Sequence, residues 1–208
     1  MADRVLGSAH RREVFHRIYT HNLWGDPGSA SGGGSSPAAT ALVRQQLPAL
    51  LQDLRIDVLL DAPCGDFAWA GDVAGAVNRY LGVDIVPALI ELNRRRYGNE
   101  RISFICADLS RDRLPRADLI LSRDCFIHLP TRMIRAALRN FRASGAPLLL
   151  LSNSPGARPY LDIPLGSFRP IDFRQPPFSF PAPLRILDEN AAGDRQLCLW
   201  ALAALPID

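Results

Sequence analysis

Residues 56–66 read IDVLLDAPCGD, an apolar run that ends in an acid and a tight glycine turn, and this stretch decides the fold. Four more short apolar runs follow it, at 80–85, 102–108, 117–123 and 146–152. Continuous apolar runs of this length are typical of parallel strands that are buried on both faces. With two final apolar segments at 184–187 and 197–205, they predict an α/β fold: a Rossmann-like, mostly parallel seven-stranded sheet with helices on both faces and an antiparallel C-terminal strand pair.

Apolar residues at helical spacing lie between most of these runs. They predict helices at 11–20, 38–53, 67–76, 87–97 and 131–143. Only SRDRLP, residues 110–115, separates the third and fourth runs, and this connection is too short for a full crossover helix. Asp66 stands directly before the third helix, and we interpret it as the N-cap of that helix rather than as a ligand contact.

The chain has 208 residues, of which 48% are hydrophobic, and this size and composition are typical of one compact domain. We expect an N-terminal helix and a Gly/Ser-rich loop over residues 1–37, and a single α/β domain over residues 38–208. The loop itself, residues 25–37, is either a flexible linker or a cover over a ligand. Residues 153–183 hold 8 of the 17 prolines and are predicted to form an insert that faces the substrate.

Composition excludes several function classes. All 24 basic residues are arginine, so the chain lacks the lysine on which Schiff-base enzymes, Walker P-loops and protein kinases depend. The formal net charge is +3 without a concentrated basic run, so we do not expect a nucleic acid as partner. Neither the cysteines nor the histidines have the spacing of metal ligands, so we expect no metal. The lack of a long apolar stretch and of an export signal predicts a cytoplasmic protein without a membrane partner.

Acidic residues end successive apolar runs. Asp61, Asp84 and Asp108 end the first three runs, and Arg123 with Asp124 ends the fourth. In an open parallel sheet these positions meet at one edge, and ligands bind there. Asp84 follows the glycine turn by about 20 residues, the separation at which an acid accepts hydrogen bonds from the ribose hydroxyls of an adenosine ligand.

The glycine turn argues against a dinucleotide. Its only glycine is Gly65, whereas NAD binding needs G-x-G-x-x-G so that the backbone can approach two phosphates. Asp61 would repel phosphate but would attract an ammonium group, and Asp108 can accept a hydrogen bond from an adenine amino group. S-adenosylmethionine carries both groups, and it is therefore the predicted cofactor.

Four segments resemble, in order, the motifs of the class I S-adenosylmethionine-dependent methyltransferases, over roughly residues 56–205. They are LLDAPCGDF (59–67), GVDIV (82–86), CADLS (106–110) and ADLILSRDCFIHLP (117–130). Pro63 and Phe67 depart from the pattern, since this family usually has glycine at these two places. The resemblance implies an enzyme that transfers a methyl group to an oxygen or nitrogen of a small polar acceptor.

The resemblance also implies which residues hold the cofactor. We expect the cofactor-binding residues to be Trp24, Asp61, Cys64, Gly65, Asp84, Ile85, Asp108, Leu109 and Arg123. Of these, Asp61, Gly65 and the backbone of Cys64 would hold the methionine part, Asp84 the ribose, and Asp108 with Leu109 the adenine. The N-terminal helix, Trp24 and the Gly/Ser loop would close over the cofactor.

Asp124 and His128 are the candidate catalytic residues, because both follow the fourth strand, toward which the resemblance directs the methyl group. A base is needed when the acceptor is a hydroxyl or a protonated amine. The i, i+4 spacing of the pair places them on one face if residues 124–128 form a helical turn. For His128 the alternative is a structural role before the helix at 131–143.

Two other functions stay open from the residues alone. A nucleotide-binding oxidoreductase needs the glycine triplet that the chain lacks, and a non-catalytic S-adenosylmethionine-binding partner subunit would not need the two candidate catalytic residues. On the acceptor side, the 153–183 insert combines three arginines with three aromatic residues, which suits a planar or anionic acceptor. These residues are Arg158, Arg169, Arg174, Tyr160, Phe168 and Phe173.

Overall fold

The computed structural model describes residues 7–24, 29–157 and 160–207. Its α-helices are α1 (Ser8–Thr20), α2 (Pro37–Asp53), α3 (Gly71–Gly75), α4 (Pro87–Tyr97) and α5 (Thr131–Ala143). Its strands are β1 (Val58–Asp61), β2 (Arg79–Asp84), β3 (Ile102–Cys106), β4 (Leu119–Ser122), β5 (Leu148–Asn153), β6 (Arg185–Asp188) and β7 (Gln196–Ala201). Within the described ranges, no helix is both long enough and apolar enough to cross a membrane.

The strands form one sheet in the order β3-β2-β1-β4-β5-β7-β6. All pairs from β3 to β5 are parallel, whereas β7 pairs antiparallel with both β5 and β6. The predicted fold class is therefore confirmed. The strand order reverses between β1 and β4, and in such sheets the carboxyl ends of the strands at this point open into a ligand crevice.

Helices cover both faces of the sheet, which explains the continuous apolar runs. In β1, Leu60 belongs to a core layer that includes Phe141 of α5, and its neighbour Leu59 belongs to the opposite layer with Leu47 of α2. Successive strand residues point to opposite faces, so both must be apolar when both faces are buried.

The helix predicted at 67–76 is shorter in the structure, where α3 covers only Gly71–Gly75. Phe67 adopts a positive φ of 60°, a conformation that a right-handed helix does not contain. Its ring packs against those of Tyr80 and Tyr97, with centroid distances of 5.1 and 4.9 Å. The interpretation of Asp66 as a helix N-cap is therefore wrong, since the residue before α3 is Ala70.

Much of the proline-rich insert is anchored in the core instead of lying over a pocket. Phe173 is fully buried and packs against Phe178 and Phe180, with ring centroids 4.8 and 5.3 Å away. Arg169 is buried as well, and its guanidinium donates to the carbonyl oxygen of Leu129 at 2.8 Å. The acceptor contacts expected of Phe173 and Arg169 are thus wrong, because both side chains hold the insert in place. Arg158 lies outside the described residues.

Candidate active site

A first cavity opens at the carboxyl ends of β1, β2 and β4, where the strand order reverses. Its walls come from α1, from the turn after β1, and from the residues that follow β2, β3 and β4. The lining residues on which the site depends are Trp24, Ser31, Cys64, Gly65, Trp69, Asp84, Ile85, Asp108, Leu109, Arg123, Asp124 and His128. Eight of the nine expected cofactor residues are in this list, so the sequence motifs do meet in one place.

Asp61 is the exception, because it does not line the first cavity. Its side chain lies buried beneath the sheet edge and accepts a hydrogen bond from the Tyr80 hydroxyl. Burial raises the pKa of Asp61 to about 7, even though the Tyr80 hydrogen bond and the charge of Arg123 both lower it. Asp61 therefore does not belong to the cavity lining in this structure, and its contact with the cofactor stays a prediction.

Gly65 forms the turn above β1 and is needed there for two reasons. Its φ is +53°, a conformation that favours glycine, and a Cβ at this position would lie 2.4 Å from the Ser31 Oγ. That same Oγ accepts a hydrogen bond from the Asp66 backbone N–H at 3.0 Å. The turn and the Gly/Ser loop are thus in direct contact, with no room for a side chain between them.

Asp66 fastens the described end of the Gly/Ser loop to this turn. Its Oδ2 accepts hydrogen bonds from the Ser29 hydroxyl at 2.7 Å and from the Ala30 backbone N–H at 3.1 Å. The residues that precede Ser29 in the loop, 25–28, lie outside the described residues. Asp66 is consequently a loop anchor, a role that its position in the sequence did not indicate.

Asp84, at the end of β2, presents a buried carboxylate to the first cavity. Its two oxygens accept from the backbone N–H groups of Val86 at 3.0 Å and Gly65 at 3.3 Å. Burial raises the pKa of Asp84 to about 6, and these backbone hydrogen bonds limit the rise. The orientation of the carboxylate is therefore set by the backbone on both sides of it.

Asp108, after β3, is already engaged by other residues. Its Oδ2 accepts from Arg11 Nε at 2.7 Å, and its Oδ1 accepts from the Ser110 hydroxyl at 2.6 Å. Burial raises the pKa of Asp108, but the Ser110 and Arg11 hydrogen bonds outweigh it, so the pKa lies below its usual value. This carboxylate ties α1 to the sheet edge, and the neighbouring Leu109 also lines the cavity.

Trp24 closes the first cavity from the N-terminal side. Its indole stacks on the imidazole of His128, with ring centroids 4.4 Å apart and planes at 22°, and its edge meets Phe15 of α1 at 6.4 Å. Together with the Arg11–Asp108 ion pair, these contacts hold α1 against the carboxyl edge of the sheet.

Asp124 and His128 line the same cavity, but not because they share a helical face. Asp124 has a positive φ of 50°, and only Phe126–His128 form a short 3₁₀ turn, so the helical turn expected over 124–128 is wrong. Asp124 Oδ2 accepts from Arg195 Nη2 at 2.8 Å.

His128 has the features of a neutral base. Its Nδ1 lies 2.9 Å from the carbonyl oxygen of Ser167. A carbonyl oxygen only accepts, so Nδ1 carries the proton and Nε2 keeps a free electron pair. Burial lowers the pKa of His128 below its usual value of 6.5, which keeps the ring neutral at neutral pH.

A second cavity, of about 600 Å³, adjoins the first. Residues of the Gly/Ser loop, of the insert and of the hairpin between β6 and β7 line it, including Gly34, Asn153, Phe168, Glu189 and Arg195. Trp24, Ser31, Asp124 and His128 line both cavities. The two cavities therefore meet at the two candidate catalytic residues.

The sequence analysis missed Glu189 and Arg195, which lie between β6 and β7. Glu189 is buried and accepts a hydrogen bond from Arg123 Nε, and Arg195 pairs with Asp124. No motif marks either residue, and only the antiparallel return of β7 beside β5 brings them to β4. In the described part of the chain, no cluster of three or more His, Cys, Asp or Glu side chains has the arrangement of a metal site.

Known proteins share this architecture. Residues 59–147 match the model of a family described as a methyltransferase domain, whereas no curated protein matches the chain. Magnesium protoporphyrin IX methyltransferase from Synechocystis PCC 6803, solved with S-adenosylhomocysteine, has a TM-score of 0.54 at 19% identity, and the match covers 72% of this chain and 73% of that chain. The N-methyltransferase NodS from Bradyrhizobium japonicum WM9 has a TM-score of 0.53 at 20% identity, covering 67% and 73%. Human N-acetylserotonin methyltransferase has a TM-score of 0.56 at 13% identity, covering 94% of this chain and 56% of that chain.

Proposed function

We propose that this protein, a class I S-adenosylmethionine-dependent methyltransferase, binds its cofactor in the first cavity and methylates an oxygen or nitrogen of a small polar acceptor in the second. The observation that carries the proposal is the wall that both cavities share, formed by Trp24, Ser31, Asp124 and His128. Methyl transfer is an in-line displacement, so donor and acceptor must meet at one point with their reacting atoms aligned.

The sheet order supports a placement of the parts of the cofactor at successive strand ends. Asp84 after β2 accepts from the ribose hydroxyls, the Gly65 turn after β1 lies against the methionine part, and Leu109 after β3 lies against the adenine. Asp108 contributes through its Arg11 ion pair, which positions α1, as well as through its remaining acceptor capacity. We assign the described part of the N-terminal segment, residues 7–24 and 29–37, as the cover of this cavity, with Trp24 as its inner contact.

The second cavity accounts for a small acceptor. Its wall includes Asn153 to Ala157 and Phe168, so residues 153–183 form the acceptor side even though part of the insert is core. Two of the similar solved structures are named for small-molecule substrates, magnesium protoporphyrin IX and N-acetylserotonin. A cavity of about 600 Å³ is also within the usual range for small-molecule sites.

The residues that line both cavities have different roles in the proposed reaction. When bound, S-adenosylmethionine would supply a methyl group from its positively charged sulfur, whose bond to the methyl carbon breaks to leave S-adenosylhomocysteine. His128 Nε2 would take the proton that the acceptor oxygen or nitrogen loses. Asp124, held by Arg195, orients the acceptor. Trp24 stacks on His128 and excludes water from the base.

The test is methyl transfer itself. The purified protein is incubated with S-adenosylmethionine carrying a labelled methyl group and a panel of small alcohols, phenols, carboxylates and amines, and labelled product is measured. Ala157→Trp fills the second cavity and should abolish transfer while S-adenosylhomocysteine still binds. Ala143→Trp, at an exposed position of α5, is the matched control and should leave transfer unchanged. Transfer that survives Ala157→Trp would remove the second cavity as the acceptor site.

A further inference from the structure

Arg123 is the only arginine among the described residues that line the first cavity, and its guanidinium is incompletely bonded. Nε donates to Glu189, and Nη1 donates to the carbonyl oxygen of Gly34 at 2.8 Å. Nη2 is buried and has no hydrogen-bond partner. The guanidinium carbon also lies 5.2 Å from the ring centre of Trp69, another residue of the cavity wall.

An unpaired buried donor is costly. Leaving it unsatisfied costs about 1–3 kcal/mol, and more when the group is charged. Such groups are rare in native proteins, and each calls for an explanation. In this cavity the missing partner must be an acceptor, and a carboxylate fits best because a guanidinium pairs with it through charge-assisted hydrogen bonds.

The sheet order decides which end of the cofactor reaches Arg123. This residue ends β4, which is the neighbour of β1, whereas β3 with its following Asp108 lies on the far side of β2. Arg123 therefore lies beside the Gly65 turn and away from the adenine end. The group of the cofactor at this end is an amino acid, which carries an α-carboxylate.

We infer that Arg123 binds the α-carboxylate of the cofactor through Nη2, and that Glu189 is the positioning residue that holds the guanidinium for it. Glu189 lines the second cavity and not the first, so it affects cofactor binding through Arg123. Its side chain is 2% exposed and approaches Arg195 as well, at 3.6 Å. The hairpin between β6 and β7 thereby becomes part of the cofactor site. The inference rests on the proposed placement of the cofactor in the first cavity.

The experiment compares two ligands that differ only in the carboxylate: S-adenosylhomocysteine and its decarboxylated analogue, which keeps the amino group. Calorimetry measures the dissociation constant of each. In the wild type, S-adenosylhomocysteine should bind about 10- to 100-fold more tightly, the ratio expected for hydrogen bonds to a charged group. Affinities that differ by less than about threefold in the wild type would overturn the assignment.

Variants of Arg123 and Glu189 then test whether the difference in affinity between the two ligands comes from Arg123. Arg123→Lys keeps the charge but loses the second arm of the fork, and the pair Arg123→Met with Glu189→Met removes both charges together, so that neither is left buried alone. Both changes should bring the ratio of the two dissociation constants close to one, because they should weaken the binding of S-adenosylhomocysteine only. Equal losses for the two ligands would show a merely structural Arg123, and an unchanged ratio would exclude the contact; either result overturns the inference.

Variants of Glu189 test its positioning role, and a variant of Asp84 tests the ribose contact separately. Glu189→Gln still accepts from Nε and should keep the wild-type ratio, whereas Glu189→Ala should reduce it. A Glu189→Ala protein with the full ratio would refute the positioning role. Asp84→Asn should weaken both ligands equally, because it acts on the shared ribose. If Asp84→Asn leaves the affinity of both ligands unchanged while the Arg123 variants change the ratio of the two dissociation constants, the ribose assignment fails and the carboxylate contact stands. If no variant changes either affinity, the ribose assignment and the carboxylate contact both fail.

Discussion

The imidazole of His128 stacks on the indole of Trp24 with ring centroids 4.4 Å apart and planes at 22°. The two residues come from different layers of the molecule, His128 from the loop after β4 and Trp24 from the segment after α1. One face of the base is therefore covered by the N-terminal segment, and the Ser167 carbonyl fixes its Nδ1. The ring nitrogen Nε2 is therefore the atom that we propose as the base, and the first prediction tests this role.

His128→Gln should lower turnover about 10²- to 10⁴-fold, the usual effect of removing a general base. Affinity for S-adenosylhomocysteine should stay nearly unchanged, because the loss is confined to the reaction step. The pKa of His128 lies below 6.5, so wild-type turnover should fall only as the pH drops below that value, where the base becomes protonated. Turnover of the His128→Gln variant should not show this decrease at low pH.

The matched control is His16→Gln, at an exposed position of α1. Rates are measured with an acceptor from the labelled-methyl screen, alongside calorimetry. Wild-type turnover in the His128 variant would mean that alignment alone drives the reaction, and a loss of cofactor binding would place His128 in the cofactor site instead.

Asp84 should make cofactor binding depend on pH. Burial raises its pKa to about 6, so lowering the pH from about 7 to 5 protonates the carboxylate in the free protein. The carboxylate form accepts the ribose hydroxyls best, so S-adenosylhomocysteine affinity should decrease on acidification. Calorimetry at several pH values should show this decrease in the wild type and a smaller one in Asp84→Asn. If affinity depends on pH in the same way in both proteins, Asp84 does not bind the ribose.

Gly65→Ala should disturb the contact between the turn and the Gly/Ser loop. The new Cβ would lie 2.4 Å from Ser31 Oγ at a φ of +53°, so the Ser31 side chain must shift and the backbone is strained. We expect a loss of about 1–3 kcal/mol in the free energy of unfolding and weaker S-adenosylhomocysteine binding. Gly71→Ala is the control, because nothing lies within 4 Å of its Cβ position. Equal stability of both variants in urea would argue against the contact.

Asp61 should lower stability at alkaline pH. Burial raises its pKa to about 7 in the folded state from a usual value of 3.8, so the folded protein binds this proton more tightly than the unfolded chain. The stabilising effect is full below about pH 4 and is lost as the pH rises through about 7. Asp61→Asn removes this titration but can still accept from Tyr80. The free energy of unfolding of the variant, relative to wild type, should therefore rise by about 1–3 kcal/mol between about pH 5 and 8. A constant difference would contradict the buried-charge argument.

The parallel part of the fold and the cofactor edge follow from local sequence patterns. The runs around Leu59 and Ile120 are apolar at every position because helices cover both faces of the sheet, and this pattern is visible without coordinates. Asp84 and Gly65 were predicted to meet because parallel strand ends lie at one edge, and the Gly65 N–H does lie 3.3 Å from Asp84 Oδ2.

The contacts of individual side chains did not follow from local sequence patterns. Asp66 has the residue type and position of an N-cap, yet it binds Ser29, which is 37 residues away in the chain. Phe173 sits in a proline-rich stretch that reads as surface, yet it is fully buried. In both cases the outcome depends on which distant segment packs there, and no local pattern contains that information.

By itself, then, the sequence determined the order of strands and helices and the edge at which the motifs collect, since these follow from hydrophobic periodicity and from residue types next to each strand. The class of chemistry at that edge was implied by the resemblance of four motifs to a known family. Only the tertiary structure decided which charges are neutralised. Glu189 reaches Arg123 and Arg195 reaches Asp124 because β7 returns antiparallel beside β5. These pairs join residues 66 and 71 positions apart, and a buried charge is stabilised by whichever opposite charge packing brings next to it. The side-chain contacts of Asp124 and His128 are therefore set by packing and not by spacing along the chain.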